Sequence, residues 1–226
     1  MIRPRVKICG VKTAADALVA VRFGADAIGL NFHPPSPRCV TELIAREIIA
    51  ALPPFVEPVL LSVNEEWSVI LERVARLPGA GLVQIHGDRL TPPPPGAEIR
   101  WMPALPVRDA DSLRAIGAFL DECRASGSRM PSAVLVDAHV PGQYGGTGQV
   151  APWDLLRSFA PGVPVVLAGG LTPDNVFAAI EATRPFAVDV ASGVESSPGV
   201  KDAEKVRRFV SEAGRAWFGG ENPKES

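Results

Sequence analysis

Cys9-Gly10-Val11-Lys12-Thr13, the turn that follows the first β-rich run at residues 6–9, decides between two architectures. An open doubly wound sheet usually carries a glycine-rich GxGxxG turn after its first strand. Here a single glycine stands in the turn and the pattern is missing. Further β-rich runs follow at residues 27–32, 58–63, 82–86, 99–104, 133–137, 163–168 and 187–190. Between most of them lie stretches with helical spacing, at 14–23, 43–52, 65–77, 111–124 and 175–183, and 202–218 closes the chain. Strands alternating with helices imply βαβ units and a parallel sheet covered on both faces. Eight such strands in 226 residues fit a compact (β/α)8 TIM barrel of the α/β class. The fourth unit is irregular, because Thr91-Pro92-Pro93-Pro94-Pro95 leaves almost no room for a helix.

Composition narrows the possible partners. The chain is 46% apolar, 21% charged and 6% aromatic, which is ordinary for a globular protein. Its 23 prolines are about twice the usual share of ~5%, and they cluster in connectors between periodic segments. No stretch reads as a long flexible linker, so residues 1–226 are expected to form one domain, with the tail at 219–226 disordered. Lys and Arg total 23 against 25 acids, a net charge of −2. A nucleic-acid or anionic-membrane partner would normally leave a basic excess. No apolar run approaches the ~18 residues of a membrane span, and no secretory h-region is visible. Three well-separated cysteines argue for a reducing compartment, so the cytoplasm is the expected location. The sequence leaves monomer and homodimer both open.

In a barrel the active site lies at the C-terminal ends of the strands. Cys9, Asn31, Asn64, His86, Asp137 and Asp189 stand there, where core filling would call for apolar side chains. Leu167-Ala168-Gly169-Gly170-Leu171 ends the seventh strand and Asp189-Val190-Ala191-Ser192-Gly193-Val194 the eighth. Glycines let backbone N–H groups approach an anion, and these two loops are a recurrent phosphate site in barrels. Cys9 is a candidate base or nucleophile, provided the thiolate forms from an ordinary value of ~8.5; on position alone a buried inert cysteine is equally open. Cys39 and Cys123 read as structural. Asp137 follows the apolar run Ala133-Val134-Leu135-Val136 as its only charge. Desolvation there favours the protonated carboxyl and makes Asp137 a candidate acid or base. The stretch Gly142-Gln143-Tyr144-Gly145-Gly146-Thr147-Gly148 suits a loop that covers a substrate. Arg38, after Pro35-Ser36-Pro37, would suit a substrate carboxylate, with a solvated surface arginine as the alternative. His33, His86 and His139 show no metal-ligand spacing, so no metal is expected.

Several segments then become specific together. Lys7-Ile8-Cys9-Gly10, Gly24-Ala25-Asp26, Ser36-Pro37-Arg38 and Val83-Gln84-Ile85-His86-Gly87 occur in this order. Asp137 before Gly145-Gly146-Thr147-Gly148, Leu167-Ala168-Gly169-Gly170-Leu171, Val188-Asp189-Val190-Ala191-Ser192-Gly193-Val194-Glu195 and Pro198-Gly199-Val200-Lys201-Asp202 complete the series. Over about residues 5–210 the chain resembles the phosphoribosylanthranilate isomerases of tryptophan biosynthesis. The resemblance implies a (β/α)8 barrel that needs no cofactor and carries out an Amadori rearrangement on a small phosphorylated sugar–anthranilate substrate. It also implies that Cys9 is the general base, Asp137 the general acid and Arg38 the partner of the anthranilate carboxylate. The phosphate would lie on the loops around Gly169, Gly170, Ser192 and Gly193, with His86 and Asp189 also facing the substrate. The chain departs from the family pattern at Ala151-Pro152-Trp153, where Phe-Asp-Trp is usual, and at Val11-Lys12. Pro152 suits the first turn of a helix, so the sixth helix is expected to start near it with Ala151 as a weak N-cap. Other phosphosugar barrels, such as an epimerase or a histidine-pathway isomerase, and a barrel that binds a phosphorylated ligand without turnover, are the alternatives.

Overall fold

The computed structural model describes residues 3–137 and 153–218. Eight parallel strands form a closed barrel: β1 (Arg5–Cys9), β2 (Ala27–Asn31), β3 (Glu57–Val63), β4 (Leu82–His86), β5 (Arg100–Pro106), β6 (Val134–Asp137), β7 (Val165–Ala168) and β8 (Ala187–Val190). Closure runs through β1 and β8, with Val6 opposite Val188 and Lys7 opposite Asp189. Around the barrel stand α1 (Ala14–Arg22), α2 (Glu42–Ala51), α3 (Trp67–Arg76), α4 (Ala110–Ala125), α5 (Trp153–Leu156), α6 (Val176–Thr183) and α7 (Ala203–Phe218). An antiparallel pair, β9 (Glu195–Ser197) and β10 (Val200–Lys201), follows β8 through a 3₁₀ turn at Ser192–Val194.

Successive side chains on a strand point to opposite faces, and here that period sorts the core into two layers. Val134 and Val136 of β6, Leu167 of β7 and Val188 of β8 pack outward under the helices. Leu135, Val166, Ala168 and Ala187 alternate with them and fill the barrel interior beside Met102 and Ala104. The same period on β1 sends Val6 and Ile8 outward. Lys7 and Cys9 therefore share the interior face, and both are buried. The interior is apolar through its middle and becomes polar toward the C-terminal ends of the strands.

The helices begin where short polar side chains can hold their first N–H groups. Thr13 Oγ1 accepts from Asp16 N at 3.0 Å before α1, and Asp109 Oδ1 from Ser112 N at 2.8 Å before α4. Val206, Phe209, Val210, Ala213 and Ala216 form the buried stripe of α7 at helical spacing. The proline-rich segment between β4 and β5 forms no helix, as its sequence implies. Trp101, wholly buried, fills that gap edge-on to Trp67, ring centroids 5.7 Å apart, and Trp67 Nε1 donates to Thr91 O at 3.1 Å. Strand β5 runs on to Pro106, two residues past the expected end. A proline at a strand terminus leaves no interior ladder donor missing. The α5 helix starts at Trp153, while Ala151, Pro152, the stretch 142–148, His139 and the tail 219–226 lie outside the described residues.

Candidate active site

The C-terminal ends of the strands surround a cavity of about 470 Å³. Cys9, Arg38, His86, Asp137, Gly169, Gly170, Asp189, Ser192 and Gly193 all line it, together with Asn31 and Gln84. Asn64 does not. It lies over the β3–β4 side, where its amide bonds with Asp88 at 2.9 and 3.1 Å.

Cys9 ends β1 beside Gly29 of β2. A Cβ on Gly29 would come within 2.7 Å of Cys9 Sγ and 2.9 Å of Lys7 Nζ, so only glycine leaves room for both groups. Burial pushes the Cys9 thiol up from its ordinary value, while the Lys7 ammonium pulls against that rise. Lys7 donates from Nζ to Asp189 Oδ1 at 2.7 Å, with both side chains almost shielded from solvent. Burial alone would discharge Lys7, but Asp189 and Cys9 raise its affinity for the proton above the ordinary value. Asp137, at the end of β6, is half-buried, and its backbone carbonyl accepts from Val107 N at 2.9 Å.

His86 and Gln84 share the interior face of β4, and Gln84 Nε2 lies 2.6 Å from His86 Nε2. Burial, with Lys7 nearby, lowers the His86 pKa, so the imidazole is neutral. Its Nε2 can accept from Gln84 when the ring proton sits on Nδ1. Gln84 Oε1 is buried and has no hydrogen-bond partner among the described residues.

Arg38 is held from two sides. Its backbone N donates to Ser36 Oγ, which also accepts from Asn31 Nδ2, so Asn31 fixes the turn that carries the arginine. Its Nε and Nη2 donate to Glu195 at 2.8 and 2.7 Å, and Lys201 Nζ reaches the same carboxylate at 2.8 Å. Although burial favours the neutral acid, Arg38 and Lys201 hold the Glu195 carboxyl below its ordinary range. Lys7, Gln84, Glu195 and Lys201 were not singled out as site residues from the sequence. Only Lys7 and Gln84 carried a usable signal, the two-residue spacing from Cys9 and from His86 along a strand.

Across the cavity, Gly169 and Gly170 take φ of 93° and 65°, where a Cβ would be strained. Asn175 ties their loop together, accepting from Thr172 N at 2.8 Å and donating to Gly170 O at 3.0 Å. Gly193 has a different requirement, since a Cβ there would collide with the Leu171 carbonyl. The two loops are packed backbone against backbone. Among the described residues no group of three or more His, Cys, Asp or Glu side chains is arranged to hold a metal ion.

A closed parallel (β/α)8 barrel with a thiol, a carboxylate and glycine-rich turns converging on the C-terminal ends of its strands defines a TIM-barrel enzyme. Residues 6–212 match the family model described as N-(5'-phosphoribosyl)anthranilate (PRA) isomerase, and the chain belongs to that family. It is 46% identical over 209 residues to the N-(5'-phosphoribosyl)anthranilate isomerase of Geobacter metallireducens, covering 92% of this chain and 98% of the relative. The Azotobacter vinelandii protein of the same name is 46% identical over 216 residues, covering 96% of this chain and all of the relative. Among solved structures, phosphoribosyl anthranilate isomerase from Thermotoga maritima superposes with a TM-score of 0.79 at 36% identity, covering 93% of this chain and 98% of its own. A second isomerase structure, in complex with reduced 1-(o-carboxyphenylamino)-1-deoxyribulose 5-phosphate, gives 0.76 at 33% identity with the same coverage.

Proposed function

We propose that this chain isomerises N-(5-phospho-β-D-ribosyl)anthranilate to 1-(2-carboxyphenylamino)-1-deoxy-D-ribulose 5-phosphate, the Amadori step of tryptophan biosynthesis, with Asp137 as general acid and Cys9 as general base. The observation that carries it is the meeting of Cys9 and Asp137 on one cavity of a barrel that matches this family along nearly its whole length. Asp137 gives its proton to the furanose ring oxygen as the bond from that oxygen to the anomeric carbon breaks. The anthranilate nitrogen supplies the electron pair and becomes a Schiff base. That cation acidifies the proton on the adjacent sugar carbon, and the Cys9 thiolate removes it. The resulting enolamine relaxes to the ketose, with one proton returned for each proton taken. Proton transfers of this kind need groups positioned at the reacting atoms, and each contributes about 10²–10⁴-fold in rate.

The remaining groups then serve to hold the substrate. Arg38 would meet the anthranilate carboxylate, and the turns at Gly169–Gly170 and Ser192–Gly193 the phosphate, with His86 and Asp189 facing the sugar. No helix among the described residues is long and apolar enough to cross a membrane. A single-domain enzyme over 1–226, working on a dissolved phosphorylated metabolite in the cytoplasm, is the reading that the absence of a long linker and the three well-separated cysteines favour.

The test follows the fluorescence of freshly made phosphoribosylanthranilate as it is consumed by the purified protein. Turnover is expected in the wild type, with losses of about 10²–10⁴-fold in Cys9→Ala and Asp137→Asn while the proteins stay folded. Absence of turnover would overturn the assigned reaction. Near-wild-type kcat in either variant would remove that residue from its role.

A further inference from the structure

Lys7 is an ionisable side chain inside the barrel that the steps above do not use. A charge is expensive there, and a buried ion pair can often be replaced by apolar side chains with little loss of stability. The layer beneath it is filled in just that way, by Met102, Leu135, Val166 and Ala187. Lys7 instead keeps its charge through Asp189, 2.7 Å away on the neighbouring strand. Its ammonium and the Cys9 thiol both crowd the space above Gly29, within 2.9 and 2.7 Å of the point where a Cβ would stand. An ammonium has three N–H donors. One goes to Asp189, and the Cys9 thiol is a further hydrogen-bond partner of the same ammonium.

We propose that Lys7 is a positioning residue for the reaction: its buried ammonium, anchored by Asp189, stabilises the thiolate of Cys9 and so sets the pH at which the base becomes competent. The proposal rests on Cys9 being the base. A thiolate enclosed by apolar walls would otherwise form only at a pH well above neutrality. The charged and titratable groups that face Cys9 come from several elements. Lys7 on its own strand favours the thiolate and Asp189 on β8 opposes it, while Lys201 on β10 adds a weaker favourable charge. Arg38, with Glu195 of β9 against it, sits at the rim, where His86 of β4 and Asp137 of β6 line the same cavity. Among these, Lys7 exerts the largest pull on Cys9 in favour of the thiolate. Glycine at position 29 is what permits the approach.

The experiment compares the wild type with Lys7→Met, Asp189→Asn and the double variant Lys7→Met/Asp189→Asn. The double variant buries no unpaired charge and keeps the test open should Lys7→Met alone fail to fold. Cys9 is titrated by its ultraviolet thiolate absorbance, taken as the difference between each protein and its Cys9→Ser counterpart. The pH profile of kcat/KM is measured alongside. In Lys7→Met the thiol titration and the rising limb of the profile are expected to move up by at least about one pH unit, and in the double variant by less, because the opposing charge of Asp189 goes with Lys7. Activity at neutral pH falls about tenfold and is regained at higher pH. Asp189→Asn is expected to move the thiol titration up as well, because burial then discharges the ammonium that Asp189 anchored. A folded double variant with an unmoved thiol would overturn the proposal and leave the pair merely structural. A thiol that moves while the kcat/KM profile does not would instead overturn Cys9 as the base, with the influence of Lys7 on the thiol intact.

Discussion

Arg38 shows how one side chain can be committed to the fold and still line the cavity. Two of its five N–H donors, on Nε and Nη2, are engaged by Glu195 at 2.8 and 2.7 Å, and the guanidinium also borders the cavity. The glutamate locks the plane of the fork, which reduces the rotamer freedom that binding would otherwise have to remove. Arg38→Met is expected to raise KM about tenfold to a hundredfold, the range for a lost charge-assisted hydrogen bond, and to change kcat much less. The carboxylate it would hold lies away from the reacting sugar carbons and is bound alike in ground and transition states. Glu195 keeps Lys201 at 2.8 Å in this variant, so no carboxylate is left buried without a partner. Steady-state kinetics on the fluorescent substrate read the split. An unchanged KM would confine Arg38 to its bond with Glu195.

At the scale of elements, the alternation in β6, β7 and β8 was readable because each is a short, mainly apolar run with a polar or small residue at or next to its end. The end of β5 was not, because proline argues against a strand, yet Pro106 pairs with Asp137 at the terminus, where no donor is needed. Strands β9 and β10, three and two residues long, are too short to show any period. Lys7 looked like one more strand lysine; only closure of β1 on β8 gives it Asp189, 182 residues away. Glu195 and Arg38, 157 residues apart, meet through the same closure. The cavity rim was thus legible residue by residue, while the ion pairs beneath it depend on contacts that no local pattern encodes. The β7 and β8 loops carry a prediction of their own. Gly193→Asp would drive a side chain into the Leu171 carbonyl and disturb both loops, so it cannot isolate an anion site. Gly170 has nothing within 4 Å of its would-be Cβ, and Asn and Asp are the side chains that best tolerate its φ of 65°. Gly170→Asn and Gly170→Asp should therefore melt alike, and only the aspartate should lose the thermal stabilisation by inorganic phosphate expected of the wild type. Equal phosphate response in the two variants would place the anion elsewhere.

The whole molecule should register its buried charges as a pH-dependent stability. Glu195, Glu65 and His86 are among the groups that hold fewer protons folded than unfolded. Glu195 lies below its ordinary 4.5 because Arg38 and Lys201 outweigh its burial. Glu65 lies below the same value, chiefly through its paired bonds from Arg73 at 2.6 Å. His86 lies below 6.5 because burial disfavours the imidazolium. A depressed folded value means that the unfolded chain takes up the proton first as the pH falls. The stability these groups contribute is complete above their unfolded values and is lost as the pH drops through the folded ones. The melting temperature should therefore hold level above the ordinary histidine range and begin to decline below about pH 6.5 as His86 contributes. It should then steepen below about pH 4.5, where the two glutamates protonate. Glu195→Gln should lower the neutral plateau, since Arg38 and Lys201 lose their shared carboxylate, and should also flatten the acid limb. Thermal melts of the wild type and this variant across pH 3–9 measure both features. A variant with the wild-type acid slope would mean that the Arg38–Glu195–Lys201 cluster does not govern acid unfolding, leaving the other depressed groups, His86 and Glu65 among them, to account for it.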